Sequence, residues 1–453
     1  MKSSIRLINH ASVKISIDNI KIITDPWYSG SVFHKGWKLI HELPNDQIKE
    51  HIKDIDYIYI SHEHPDHFSP SFFLDKKLKL ILKENNTKII FQKTKDKRVF
   101  NFLNKNGYNV IEIPDNKYFI LNSDLKIKII KFGYIDSALI IEGSKEKILN
   151  LNDCPLNDAE KIKEFKNKHG NFDLLLTQFS YAAWKGGKDN NSYRKYAAEE
   201  KIKTLTNQFK ILGCKAVVPF ASFIYFSNIL NKYMNDEINK PHVFQKSLND
   251  DINSVILKPG EKQFIEELKQ DQNSLNFWKD QYDKIETNNV EQFDASVEFN
   301  KLKEEYNNYR KKIFNINSKL LIYISSKIKF LKFFQPLNIF LLDHKKNYNF
   351  SIFNGFNEAN DQKSDISMHS ESLMFILKND FGYDTLTVNG CFDASKNGFV
   401  KSTRTFAIGS LNSMGLKLNF FLIFNLKLVF FFFKLLRKVS KKIKKIYNFL
   451  FVF

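Results

Sequence analysis

The chain has 453 residues, enough to bury a large core in more than one domain. Its apolar fraction of 43% is that of a globular protein, and 69 Lys and Arg against 50 Asp and Glu leave a net charge of +19. Three cysteines, Cys154, Cys214 and Cys391, lie far apart with no Cys-x-x-Cys pair, which argues against a disulfide framework, a cysteine zinc site and an iron–sulfur cluster in this chain.

The basic excess points to anionic partners. Lys, Asn, Ile and Phe are inflated along the whole chain, so much of this charge is a composition effect, and no nucleic-acid partner is expected. The N-terminus, "MKSSIRLINHASVKISI", has no uninterrupted apolar run of the signal-peptide kind. A reducing, cytoplasmic setting is the expectation.

Residues 1–245 alternate short strands and helices. "VKISI", "IKIITD", "IDYIYISH", "TKIIFQ", "LKIKIIKF", "SALIIEG", "KILNLND" and "FDLLLTQFS" are β-branched and of strand length. Helices are predicted near 70–84, 156–168 and 192–212. The consecutive strands of "SVKISIDNIKIITDP" predict hairpins, so the fold class is α/β (α+β) with mixed sheets and helices outside them. Residues 246–333 are charged and read as a helical extension. Short strands return over 334–412, among them "NIFLLD", "YNFSIFNG" and "DTLTVNGCFD".

Residues 413–453 form a basic, aromatic tail. The stretch 416–453 joins a Phe-rich segment, interrupted by Asn and Lys, to a polybasic run. It is too interrupted for a confident span, and it has the pattern of an interfacial helix on an anionic membrane, which would place the protein peripherally at the inner face. A surface helix packing its Phe residues on its own domain is the competing reading.

The densest chemistry lies in "ISHEHPDHFS", directly after the strand "IDYIYI". His62 and His64 can share one ion, while Asp66 and His67 face a second. Imidazole and carboxylate donors suit zinc, iron or manganese.

These residues resemble the signature of the metallo-β-lactamase fold. That resemblance implies an αββα sandwich over about the first 245 residues, with one or two divalent ions at the sheet edge. It assigns His62, His64, Asp66, His67 and Asp153 as metal ligands, with Asp66 also the catalytic residue. Asp25, after "IITD", would support the metal loop through hydrogen bonds, and His10 would stand behind it as a donor. Asp25 also fits a turn before Pro26, and Asp153 also fits a helix N-cap before "PLNDAEKIKEF".

Two ligand histidines usual in this family have no counterpart. "FGYIDS" offers Asp136 instead, and "VVPFASF" offers none, with His242 further on as a substitute. Loop residues Trp27, His34, Lys35, Trp37, Tyr181, Trp184 and Lys185 are candidates for contact with substrate.

"LINHASVKI", "ITDPWYSGSVFHKGWKL", "YISHEHPDHFSP", "LNLNDC" and "VVPFASFIYF" are similar to the branch containing the C-terminal part of CMP-N-acetylneuraminate hydroxylase and its stand-alone bacterial relatives. "FGYDTLTVNGCFD" extends that likeness to about residue 412. The chain resembles N-acylphosphatidylethanolamine phospholipase D more distantly. The likeness implies a metal-dependent hydrolase acting on a small-molecule or lipid-linked anionic substrate. A mononuclear non-haem iron oxygenase is the alternative. It would act on an N-acyl sugar nucleotide and need a separate redox partner, because no Rieske cysteine–histidine pairs are present. A non-enzymatic membrane-surface protein is the third reading.

Overall fold

The computed structural model describes residues 2–328, 333–360 and 363–419. Contacts divide the chain into two compact units. One is Met1–Asp294 with Thr385–Asp393; the other is Ala295–Asp384 with the chain from Ala394 onward.

The first unit is built on two sheets. In chain order its strands are β1 (Ser4–Asn9), β2 (Ser12–Ile17), β3 (Ile20–Thr24), β4 (Trp37–Leu39), β5 (Tyr57–Ile60), β6 (Lys88–Gln92), β7 (Asn109–Ile113), β8 (Tyr118–Ile120), β9 (Lys126–Phe132), β10 (Asp136–Glu142), β11 (Lys147–Asn152), β12 (Leu174–Gln178), β13 (Ala216–Phe220), β14 (Ile224–Phe226) and β15 (Lys262–Phe264). The first sheet runs β15-β1-β2-β3-β5-β6-β7, and the second runs β13-β12-β11-β10-β9-β8.

Each sheet changes character partway across. β1, β2 and β3 form antiparallel hairpins, whereas β3, β5, β6 and β7 are parallel. In the second sheet β8 to β11 are antiparallel, and β11, β12 and β13 are parallel. The parallel strands "YIYI" and "AVVPF" are buried at every position, as strands covered on both faces must be.

Side-chain alternation sorts the core. Ile22, Tyr57, Tyr59 and Ile90 point from the first sheet into one cluster with Ile127, Ile129, Leu139 and Ile141 of the second. Ile23, Ile58, Ile60 and Ile89 point the other way, against Ile48, Ile52, Leu78, Leu82 and Leu103 of the outer helices. This is the αββα layering expected from the sequence. Between the sheets, the Tyr59 hydroxyl donates to the Ser137 carbonyl at 3.0 Å.

Three predicted elements differ. The single helix expected over 70–84 is two, Pro70–Leu74 and Lys76–Glu84. Asp75 takes an extended backbone between them, and its carboxylate caps the second by accepting from the Lys77 and Leu78 amides. Part of the charged stretch after 246 is not helical: Lys262–Phe264 pairs antiparallel with β1, so residues 246–294 lie within the first unit. "DTLTVNGCFD", expected as a strand, contains the helix Gly382–Asn389 followed by a short strand, Phe392–Ala394. Tertiary contacts override its β-branched residues: the Thr387 carbonyl accepts from the Trp184 amide, and the Asn389 side chain donates to the Phe33 carbonyl.

The second unit has its own core. Strands β16 (Leu337–Leu341), β17 (Lys346–Ser351), β18 (Gly355–Ala359) and β19 (Ile366–Met368) run in the order β18-β17-β16-β19. Helix Phe299–Ile316 buries Leu302, Tyr306, Tyr309 and Ile313. Tyr306 stacks edge-on against Phe350, with the ring centres 5.3 Å apart. Among the described residues no helix is long and apolar enough to cross a membrane. The basic tail lies outside the described residues from 420 onward.

Candidate metal centre

Four strand ends converge on one pocket, and each leaves its strand through a left-handed residue. His10 follows β1 with φ 40°, Asp25 follows β3 with φ 36°, Asn152 ends β11 with φ 54°, and Ala221 follows β13 with φ 52°. Left-handed backbone at non-glycine positions costs about 1 kcal/mol or more each and persists only where the surroundings fix it. Here they do: the Ala221 amide donates to the His10 carbonyl, and the Asp25 amide donates to the Tyr59 carbonyl.

Asp25 ties the pocket together. Its carboxylate accepts from the Ser61 amide at 2.7 Å, the Ser61 hydroxyl at 2.8 Å and the Asn152 side chain at 2.7 Å. Oδ2 also lies 3.1 Å from His67 Nδ1. A proton on Nδ1 satisfies that contact, so that in the neutral ring it is Nε2 that faces the pocket with a lone pair.

The motif loop folds as a tight turn, with the His67 and Phe68 amides both donating to the His64 carbonyl. His67 Nε2 then lies 3.3 Å from Asp66 Oδ2 and 3.4 Å from Asp153 Oδ2. Two donor sets meet at His67: His62, His67 and Asp153 in one, and His10, Asp66 and His67 in the other. Within each set the ligand atoms all lie within 4.8 Å of one another.

The donor chemistry fits a divalent ion. Both ring nitrogens of His10, Asp66 Oδ1 and His67 Nε2 are buried without a hydrogen-bond partner among the described residues. Buried polar atoms left this way are costly unless something further binds them. A small cavity lined by His10, Trp37, Asp66, Asp153, Gln178 and Tyr181 adjoins these atoms.

The electrostatics point to the same place. Burial opposes a charge on His67, but Asp66, Asp153 and Asp25 overcome it and hold the imidazole well above its ordinary range. Burial would raise Asp66, yet His67 and His10 hold it well below the usual carboxylate value. Asp153 is held at about 2, burial again being outweighed by His67. Burial, with His67 and His64 nearby, pushes His62 well down. Asp136 rises to about 7 through burial and the neighbouring Asp153. The carboxylates therefore gather positive charge at the point the two donor sets share.

The remaining sequence candidates fall in different places. His64 stands beside the first set, with Nδ1 2.9 Å from His62 Nε2. Asp136 Oδ1 is 4.0 Å from His62 Nε2. His242 sits on helix Pro241–Ser247, where Asp283, Lys240, Lys279 and Lys246 are its charged neighbours, and it belongs to neither donor set. Trp27 packs its edge against His10 at 5.5 Å, and Trp37 and Tyr181 line the cavity. His34 instead lies against Phe293 and Lys35 pairs with Asp294, while Trp184 packs on Phe392.

Two participants escape a reading of the sequence. Gln178 ends β12, and its Nε2 donates to Asp153 Oδ1 at 2.7 Å. Lys201, on helix Asn191–Leu212, donates to Gln178 Oε1 at 2.6 Å. The only signal for Gln178 is its place at the carboxyl end of a buried parallel strand, where α/β folds put ligands. Lys201 has none, being one lysine in a lysine-rich helix.

Residues 4–124 match the family described as the beta-lactamase superfamily domain. The chain is 28% identical over 246 residues to the cytidine monophosphate-N-acetylneuraminic acid hydroxylase of Xenopus laevis, a match covering 51% of this chain and 39% of that protein. The chain thus spans about two fifths of the length of that relative. Among solved structures it is similar to CmlA, a diiron β-hydroxylase from Streptomyces venezuelae, at 13% identity and a TM-score of 0.36, covering 58% of this chain and 54% of that one. It is also similar to an isothiocyanate hydrolase from Delia radicum gut bacteria, at 14% identity and a TM-score of 0.40, covering 57% and 98%.

Proposed function

We propose that this metallo-β-lactamase superfamily domain is a metal-dependent hydrolase of an anionic small-molecule or lipid-linked substrate. The observation that carries the reading is the meeting of two His/Asp donor sets at His67, beside buried polar atoms that have no hydrogen-bond partner among the described residues.

His62, His67 and Asp153 would hold one ion, and His10, Asp66 and His67 frame a second position. A divalent ion there supplies polarisation of the scissile bond and a water whose pKa falls to about 7. The protein's own residues do the rest. Asp25 orients His67, and the Trp27 and Trp37 rings shield the pocket from bulk water. Asp66, with Oδ1 unpartnered, is the base that orients the attacking water and takes its proton. Zinc and iron both suit this set of nitrogen and oxygen donors.

One observation favours a second reading. The curated relative is named a hydroxylase, and the same donors fit iron, so an oxygenase fed by a separate electron donor is the alternative. Three free, buried cysteines suit the reducing cytoplasm for either chemistry.

The test is elemental analysis of protein purified without chelator, run beside a panel of phosphoesters, esters and amides. Zinc with oxygen-independent hydrolysis is expected. Iron, with oxygen uptake that depends on an added reductase, would replace hydrolase with oxygenase.

A further inference from the structure

Several buried or half-buried cations of the first unit face a carboxylate. Lys38 faces Glu291 at 2.7 Å, Arg194 faces Asp236 at 2.7 Å, and Lys97 faces Glu112. Lys201 is half-buried, yet its one hydrogen-bond acceptor is the neutral amide oxygen of Gln178. Two of its three N–H donors have no partner among the described residues. Lys185 is also half-buried and has neither an ion pair nor a hydrogen bond among them. Taking an ammonium out of water without a counter-charge is unfavourable, so buried cations are normally paired.

Position gives these two cations a purpose. Lys201 reaches the metal centre through a two-bond chain, Lys201 to Gln178 to Asp153. Lys185 lies on the segment that starts at Tyr181 and Ala182, which line the cavity with Asp66, Asp153 and Gln178. The two also sense each other: burial and the Lys201 ammonium pull Lys185 below its usual range. An anion bound beside the pocket would offset the repulsion between two such unpaired charges. The alternative, that Lys201 only neutralises Asp153, leaves Lys185 unexplained and places an amide between the supposed partners.

We infer that Lys201 and Lys185 form a cationic subsite that takes an anionic group of the substrate, a phosphate or carboxylate, beside the Asp153 end of the metal centre. The inference rests on the hydrolase reading for the word substrate, but the subsite itself is defined by the two lysines. It puts the reacting bond within a few atoms of the substrate's charged group.

Inorganic phosphate is the probe. Its binding to the full chain is measured by calorimetry for wild type, K185M, K201M and K201R, each checked for thermal unfolding and metal content. Phosphate affinity at least tenfold weaker in K185M and in K201M is expected, with K201R close to wild type and metal content unchanged. Equal affinity in wild type and both methionine variants overturns the subsite, and so does a wild type that holds metal but binds no phosphate. If wild type holds no metal yet binds phosphate in a lysine-dependent way, the subsite stands and the metal reading falls. If K201M unfolds, K185M and K201Q decide.

Discussion

Asp25 Oδ2 lies 3.1 Å from Nδ1 of His67, and both side chains are wholly excluded from solvent. This contact fixes which nitrogen of His67 faces the pocket. The same carboxylate holds the Ser61 and Asn152 ends of two other loops. Replacing Asp25 with Asn keeps the shape and the tolerance of left-handed backbone, but puts an NH2 group where donors already converge. D25N is expected to lose about 2–4 kcal/mol of stability and roughly 10- to 100-fold in metal affinity. Urea unfolding and a zinc titration of chelator-treated protein check the two losses; an unchanged zinc affinity would show that His67 needs no orienting partner.

His67 Nε2 belongs to both donor sets, whereas His62 and His10 each belong to one. H67A should therefore abolish metal content, while H62A and H10A should each lower it by less. Chelation of the wild type should lower its melting temperature, because an ion bound only to the folded state stabilises it by mass action. Metal content equal in H67A and wild type would refute the shared position.

Tyr59 and Ser137 join the two sheets through one buried hydroxyl network, in which the Ser137 hydroxyl also bonds the Ser61 carbonyl at the start of the metal loop. Y59F removes the hydroxyl's contacts with the Ser137 carbonyl and hydroxyl without opening a cavity, and should cost about 1 kcal/mol. Chemical denaturation reads the loss directly. A cost near zero would mean that Ser137 and Ser61 close the network without the tyrosine.

Two histidines that belong to neither donor set impose an acid limit on stability. Burial, aided by Arg6 and Lys14, lowers His51 to about 4; burial, aided by Lys128, lowers His169 to about 4. Each lies below the unfolded value of about 6.5, so between these values the unfolded chain binds more protons than the folded one. Stability from both residues is full above pH about 6.5 and declines as pH falls toward 4, by a few kcal/mol at most for each. Urea midpoints measured from pH 7 to 4 should fall, and H51Q should flatten the slope. A slope unchanged in H51Q would assign the acid loss to other groups.

For the tail beyond residue 419, sequence composition motivates one expectation: binding to vesicles of anionic lipid that weakens with salt. Deleting 420–453 should abolish it. Equal vesicle binding by the truncated chain would place the membrane contact elsewhere or nowhere.

The sequence by itself determined the layered α/β class, the strand ends that carry the chemistry, and the dense motif from His62 to His67. These are local properties: side-chain periodicity, β-branched content, and ligand-competent residues packed into one turn. Tertiary structure decided the rest. It brought His10, 52 positions before His62, into contact with Asp66. It added β15 beside β1 and turned "DTLTVNG" into a helix whose end docks on Phe33 and Trp184. It also chose Gln178 and Lys201 from many similar polar residues. Such choices depend on which strand ends and helix faces meet across long sequence separations, and on which buried polar groups then find partners; periodicity along the chain contains neither.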